Sequence, residues 1–284
     1  MAVSAQGTQR GTFVDVRGTK THVHEAGSGP PVLLVHGSGP GATAWANWRF
    51  TFPHLTQRFR VYAYDIPGFG YTERDPNVRY GMVPWVEHLL AFVEDVVREP
   101  VMIVGNSLGG ALAIAAAVAR PALFERIALM GPACLRFPLT EGLDRVWGYE
   151  PSEENMRRLV ADYFVHDRSI ATPELIRLRL EASLQPGFQE AFSLLFPAPR
   201  QRWVDAIATD EAKIRAITAP TLIVHGREDR VIPLDVSYRL LQLMPNAQLH
   251  VFGNCGHWTQ VEYADDFNAL LTHFFSVRPS SAVA

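Results

Sequence analysis

Residues 101–110 read V-M-I-V-G-N-S-L-G-G, and an alanine-rich run follows. Four apolar residues ended by glycine read as a buried strand, and the alanines after them as a helix. Between the two stands Ser107, fenced by Gly105 and Gly109, where the backbone is free to take angles that other residues resist. The pattern predicts a sharp strand-to-helix turn that presents one hydroxyl at a helix N-terminus, the G-x-S-x-G nucleophile elbow. Taken alone, the same residues would also suit a tight connection with Ser107 as an N-cap. The context has to decide.

Outward from that turn, the chain alternates short apolar runs with longer helical patterns. Thr12–Val16 and Lys20–His24 flank Arg17-Gly18-Thr19 and predict an N-terminal hairpin. Pro31–Val35 runs into H-G-S-G-P-G, Arg60–Tyr64 into D-I-P-G-F-G, and Arg126–Met130 into G-P-A. Thr221–Val224 runs into H-G-R-E-D and Gln248–Phe252 into G-N-C-G-H-W. Runs that are apolar throughout belong to strands covered on both faces, as in a helix-covered parallel sheet. Helices are predicted at Met82–Arg98, Ser107–Ala119, Asp235–Met244 and Tyr263–Phe275. The fold class is therefore α/β with a mostly parallel central sheet and helices on both faces. From about Leu135 to Ala216 the strands stop. Helical patterns near Glu153–Phe164, Pro173–Leu184 and Gly187–Leu195 predict a helical cap over residues 135–216. The core is then 12–134 and 217–276, with flexible ends at 1–11 and 277–284.

Ligands of such sheets bind beyond the carboxyl ends of the strands, which is where this chain keeps its Gly, Ser, Asp and His. Asp229 follows the strand at Thr221–Val224, and His257 follows the last strand. The order Ser107, Asp229, His257 is that of a nucleophile, acid and base on this kind of sheet. Serine at neutral pH is a poor nucleophile, so an imidazole must take its proton and a carboxylate must fix the imidazole tautomer. Glu228 is the rival acid, but neighbouring loop residues point apart, and Asp229 is favoured. His36 and His225 each precede a glycine at a strand end and are read as turn braces. An oxyanion hole is expected from the backbone N–H of Leu108 and, from the loop His36–Gly41, that of Ser38, with Gly39 as the alternative.

The bulk properties exclude other classes. The 284 residues are 48% hydrophobic and 19% charged, an ordinary globular composition. A formal charge of −3 offers no basic field for nucleic acid. No apolar run approaches a membrane span, and the first dozen residues lack the apolar core of a secretory signal. Two cysteines, Cys134 and Cys255, make neither a disulfide framework nor a metal site and suit reduced thiols in the cytoplasm.

The stretches H-G-S-G-P-G-A-T-A-W-A-N-W-R, G-N-S-L-G-G and G-N-C-G-H-W-T-Q resemble the meta-cleavage product hydrolases of the α/β-hydrolase fold. So do W-G-Y-E-P-S-E-E-N-M-R-R, L-R-L-E-A-S and H-G-R-E-D-R-V-I-P. The similarity runs from about Thr12 to Phe275 and is greatest to members acting on monocyclic substrates of the 2-hydroxymuconic semialdehyde type. It implies hydrolysis of the C5–C6 bond of a 2-hydroxy-6-oxohexa-2,4-dienoate to 2-hydroxypenta-2,4-dienoate and a small acid, with no metal or organic cofactor. It also implies a homo-oligomer. By the same resemblance Ser107, Asp229 and His257 match the triad, and Arg179 matches a cap arginine that grips the substrate carboxylate and 2-oxygen. Asn47, Asn106 and Trp258 match residues lining that end. A planar guanidinium suits bidentate capture of a carboxylate; Arg177 is its competitor.

The pocket for the C6 substituent is expected from cap and strand-end residues, with Ala133, Leu139, Val204 and Ile232 as candidates. Their size suits hydrogen, methyl or short alkyl better than phenyl. The rivals are a carboxylesterase using the same triad and a non-catalytic receptor on the same fold. A dehalogenase is disfavoured, because Ser107 stands where that chemistry places an aspartate.

Overall fold

A computed structural model describes residues 11–75 and 78–277; the ends expected to be flexible lie almost wholly outside them. Eight strands form one sheet: β1 (Thr12–Val16), β2 (Thr19–Ala26), β3 (Pro31–Val35), β4 (Arg60–Tyr64), β5 (Val101–Asn106), β6 (Phe124–Met130), β7 (Thr221–Gly226) and β8 (Ala247–Phe252). Their spatial order is β1-β2-β4-β3-β5-β6-β7-β8. The first two strands join antiparallel and the rest run parallel. The hairpin closes on Arg17 (φ 49) and Gly18 (φ 90), two left-handed residues that match the strand twist.

The apolar runs are apolar because both faces of the sheet are covered. Leu33, Val35, Tyr62, Tyr64, Ile103, Ile127, Leu129 and Ile223 face one buried cluster. The residues between them, such as Val32, Leu34, Ala63, Val104, Met130 and Val224, face a second. Alternation is present, but it sorts side chains between two cores rather than between core and water. The Leu108–Ala119 helix lies wholly against the first cluster, and the Ala264–Ser276 helix packs into the second.

β3 and β5 are adjacent in space, yet the chain leaves β3 towards β4 on one side and later returns to β5 on the other. That is a topological switch point, and the loops beyond its carboxyl ends splay to leave a crevice. Val35 pairs with Gly105, Gly105 with Leu129 and Met130 with Val224. The ends of β3, β5, β6 and β7 are therefore level, and the residues following them share one edge.

Between β6 and β7 the described residues contain helices only. Four α-helices start on side-chain caps: Thr140 accepts from Leu143 N–H, Ser152 from Asn155 N–H, Thr172 from Leu175 N–H and Asp210 from Ala212 and Lys213 N–H. Two predicted helices change character midway. Met82–Ala91 continues as a π-turn at Phe92–Val97, and Glu153–Arg158 as one at Leu159–Phe164. A π-turn rotates the following side chains relative to α-helical register, and Phe164 ends the second.

His88, on the Met82–Ala91 helix, is 8% exposed and shares a 2.9 Å hydrogen bond between Nε2 and Thr21 Oγ1. The Thr21 proton is committed to Thr19 O, so the ring donates from Nε2, and its buried Nδ1 has no partner. Burial pushes His88 down to about 4. A group whose folded value lies below its unfolded value costs stability as pH falls from the unfolded value, near 6.5, to the folded one. We expect the unfolding free energy from urea titration to fall across that window by up to about 3 kcal/mol more in wild type than in His88→Gln. Equal losses in both proteins would refute it.

Candidate active site

Ser107 sits at φ 53, ψ −113 between β5 and the helix beginning at Leu108. A serine in that region is strained by about 1–3 kcal/mol and persists because its surroundings hold it. Its N–H donates to Met130 O at 2.9 Å, and its carbonyl accepts from Gly110, Ala111 and Ala133 N–H at 3.0–3.2 Å. The glycine fence has a steric cause. A Cβ at Gly105 would lie 2.4 Å from Gly109 O, and one at Gly109 would lie 2.3 Å from Val35 O. Strand and helix cross too closely for a side chain at either position.

Across the crevice, Asp229 and His257 come from the turns after β7 and β8. Asp229 Oδ2 lies 2.7 Å from His257 Nδ1, while Oδ1 accepts from Val231 N–H at 2.7 Å and Ile232 N–H at 2.9 Å. Burial alone would raise this carboxyl. The facing histidines and these hydrogen bonds outweigh it and hold Asp229 well below the usual carboxylate range. Nδ1 donating to the carboxylate leaves the Nε2 lone pair for another proton. Glu228 points away and takes Cys255 N–H at 2.9 Å and the exposed Arg227. Gly131 (φ 49) makes room for the pair, since a Cβ there would lie 3.1 Å from His257 Nδ1 and 3.2 Å from Asp229 Oδ2. Gly131→Ala is expected to push the imidazole out of line and lower kcat about a hundredfold, with KM little changed in steady-state kinetics. A kcat within threefold of wild type would contradict this.

The loop after β3 lies against the elbow. A Cβ on Gly37 would meet Ser107 Cβ at 3.2 Å. His36 braces the loop, with Nδ1 donating to Gly37 O at 2.7 Å and Nε2 accepting Ile66 N–H at 3.0 Å. Ser38 follows, and its Oγ accepts from the indole N–H of Trp147 at 3.0 Å. Trp147 lies flat on Phe196, with ring centroids 4.3 Å apart. The first turn of a helix leaves its N–H groups without helical partners, so Leu108 N–H is free to serve a ligand oxygen beside Ser107.

A small cavity of about 20 Å³ joins these parts, room for roughly one water. Ser38, Asn47, Asn106, Ser107, Arg179, His257 and Trp258 all line it. Asp229 lies behind His257. Arg179 is 6% exposed, its Nη2 donates to Pro40 O at 2.7 Å, and its buried Nε has no partner. Its guanidinium lies 4.9 Å from the centre of the Trp258 ring. Among the described residues no carboxylate pairs with it; burial and the nearby Arg49 cation push it down to about 10. Asn47 Nδ2 is also buried without a partner. The competitor, Arg177, is exposed and pairs with Glu181 at 2.7 Å.

Ala133, Leu139, Val204 and Ile232 do not border this cavity; Ala133, Val204 and Ile232 are buried in the larger core cluster, and Leu139 packs against it. The apolar side of the small cavity at Ser107 is made by Ala42, Leu143, Val146, Phe164, Val231 and Trp258. After β7 the turn is fixed by Asp229 Oδ1, which gathers the N–H groups of both Val231 and Ile232, and it is Val231 that reaches the cavity. Leu143 and Val146 belong to the Glu141–Trp147 helix, too short to show periodicity in sequence. Phe164 was hidden by the π-turn, and Trp147 stood inside a recognised motif without a role.

The fold and the site together define an α/β hydrolase, and the family model described as alpha/beta hydrolase fold matches residues 30–264. A 2-hydroxy-6-oxo-2,4-heptadienoate hydrolase of Pseudomonas putida is 53% identical, covering 94% of this chain and 97% of its own. A 2-hydroxymuconate semialdehyde hydrolase of a Pseudomonas species is 48% identical, with 96% of each covered. A solved meta-cleavage product hydrolase of Pseudomonas fluorescens, complexed with acetates, superposes with a TM-score of 0.92 at 52% identity, covering 94% of this chain and 98% of its own. The chain belongs to the meta-cleavage product hydrolases of the α/β-hydrolase fold, and it is a carbon–carbon bond hydrolase.

Proposed function

We propose that this hydrolase adds water across the C5–C6 bond of 2-hydroxy-6-oxo-2,4-dienoates carrying hydrogen or methyl at C6, releasing 2-hydroxypenta-2,4-dienoate and formate or acetate. The observation that carries the reading is Arg179, a buried cation that among the described residues has no carboxylate partner and leaves its Nε unbonded, lining the same cavity as Ser107. A buried charge without a counter-ion is costly, and an anionic substrate supplies the missing partner.

In this reading the segment 135–216 is a cap that brings Arg179, Leu143, Val146 and Phe164 over the sheet edge. The substrate carboxylate and 2-oxygen lie on Arg179 and Asn47, flanked by Asn106 and Trp258. Protonation of the dienolate at C5 gives the ketone and leaves C6 electrophilic beside Ser107. The C6 oxygen takes the N–H groups of Leu108 and Ser38. His257, oriented by Asp229, removes a proton either from Ser107 as it attacks C6 or from a water that Ser107 holds. The C5–C6 electron pair leaves as the dienolate, stabilised at the Arg179 end. The aliphatic walls Leu143, Val146 and Val231 fit a small C6 group, in keeping with the names of the relatives at 53% and 48% identity.

Loss of visible absorbance from the ring-cleavage products of catechol, 3-methylcatechol and 2,3-dihydroxybiphenyl tests the proposal. Fast loss with the first two and little with the third is expected. No loss with any of them, together with hydrolysis of a p-nitrophenyl ester, would sink it in favour of an esterase. We propose a reducing cytoplasmic setting, which the two free, buried cysteines suit; no described helix is long and apolar enough to cross a membrane. A homo-oligomer is expected by family likeness, and light scattering on the purified protein reads it.

A further inference from the structure

The carboxylate of Asp229 has a second histidine. His225, at the end of β7 and wholly buried, places Nε2 3.2 Å from Asp229 Oδ2 and 3.0 Å from Ile232 O. Both neighbours are acceptors, so Nε2 carries a proton and is shared between them. On the other side of the ring, Nδ1 lies 2.6 Å from the hydroxyl of Ser237. Ser237 is itself wholly buried, on the Leu234–Leu243 helix behind the sheet edge. A hydroxyl donating to Nδ1 fixes the neutral tautomer in which Nε2–H faces Asp229.

We infer that His225 is a positioning residue for the acid–base pair: Ser237 holds its tautomer, and its Nε2–H completes the hydrogen-bond shell of Asp229. With it, Oδ2 accepts from His257 and has His225 Nε2 3.2 Å away, while Oδ1 accepts from Val231 and Ile232, so each oxygen has two donors within reach. A carboxylate held at four points cannot rotate, and its charge is shared rather than spent wholly on His257. The donor from His225 therefore moderates how strongly Asp229 pulls on the catalytic imidazole. The Ile232 contact ties the same ring to the turn whose preceding residue, Val231, walls the cavity. The titratable groups facing Asp229 are His257 from the turn after β8 and His225 from β7, with the Cys255 thiol close enough to feel its charge.

The inference rests on the proposed reading of Asp229 and His257 as acid and base. Four full-length proteins test it: wild type, His225→Leu, which removes the donor; His225→Gln, whose amide reaches a similar position; and Ser237→Ala, which frees the tautomer. The readouts are the pH profile of kcat/KM with the C6-methyl dienoate and the low-field proton resonance of the short His257–Asp229 hydrogen bond. His225→Leu should lose about tenfold in kcat and move the acid limb up by about half a pH unit, since a hydrogen bond to a charged group is worth about a pH unit before relaxation. His225→Gln should restore most of both. Ser237→Ala should shift the limb in the same direction by less. A folded His225→Leu with an unmoved acid limb and resonance, whatever its Tm, would overturn the inference and leave His225 as packing. If His225→Leu does not fold, an unmoved limb in Ser237→Ala overturns it. Wild type inactive on every dienoate would instead refute the underlying reading, so the two failures are distinguishable.

Discussion

Ser107→Ala is expected to lower kcat on the C6-methyl dienoate by about four to six orders of magnitude, the range spanned by removing a triad member, while leaving the fold and substrate binding intact. The argument begins with the backbone. Ser107 is held at a positive φ by one donated and three accepted main-chain hydrogen bonds, none of which uses its hydroxyl. Alanine can therefore occupy the same strained turn, and Tm should move by little. The hydroxyl is lost from a cavity that it shares with His257, Ser38 and Arg179. Either version of the chemistry, direct attack or a water held by Ser107, needs that oxygen, so both predict collapse of the chemical step. In the proposed pose the grip on the carboxylate lies at the other end of the substrate, so the Kd measured by absorbance titration should stay within a few-fold. Asp229 cannot stand in for the lost group, because it is held ionised and hydrogen-bonded on both oxygens. Turnover above about a hundredth of wild type in stopped-flow absorbance would sink the assignment.

What the sequence exposed and what it hid follow from the range of the forces involved. The inner strands were legible because burial on both faces makes them apolar throughout. The sorting of alternate residues between two cores was not, since both cores are equally dry. The helix Leu108–Ala119 announced itself by composition. Glu141–Trp147 and Gln201–Ile207 did not, at two turns each. On the helix Pro173–Ser183, residues two apart face opposite ways, so one of Arg177 and Arg179 had to point inward. Only tertiary packing shows that it is Arg179 that is buried and Arg177 that meets Glu181 in solvent. The choice of Val231 over Ile232 at the cavity wall depends on two hydrogen bonds to one carboxylate oxygen, and no periodicity encodes that. His225 does brace its turn through Ile232 O, as its place before a glycine suggested. Its share in Asp229 is a contact across that turn and left no pattern to read.

Arg179→Leu should raise KM for the dienoate by about two to three orders of magnitude, the loss of a buried charge-assisted contact, without lowering Tm. The combination is what makes the test sharp. Most buried arginines are paired, and removing one strands its partner and destabilises the protein. Among the described residues Arg179 has no carboxylate to strand: its neighbours include the Pro40 carbonyl, the faces of Trp258 and Phe164, and the repelling cation of Arg49. An apolar side chain there removes an uncompensated buried charge and an orphaned Nε, which offsets the lost hydrogen bond to Pro40. Stability sacrificed in the empty state is recovered when an anion arrives, which is how a binding site differs from a structural ion pair. Arg179→Lys keeps the charge but loses the planar fork, so it should recover only part of the affinity. The pH dependence has a definite sign. Burial and the nearby Arg49 cation lower the guanidinium from its ordinary value, but an arginine stays protonated through the working range, so KM should stay flat from neutral to alkaline pH in wild type and climb only in the Lys variant, whose buried ammonium can lose its proton. Steady-state KM and thermal melts on the three proteins decide it. A Leu variant that melts several degrees lower with KM unchanged would make Arg179 a structural residue and remove the anchor from the proposed substrate pose.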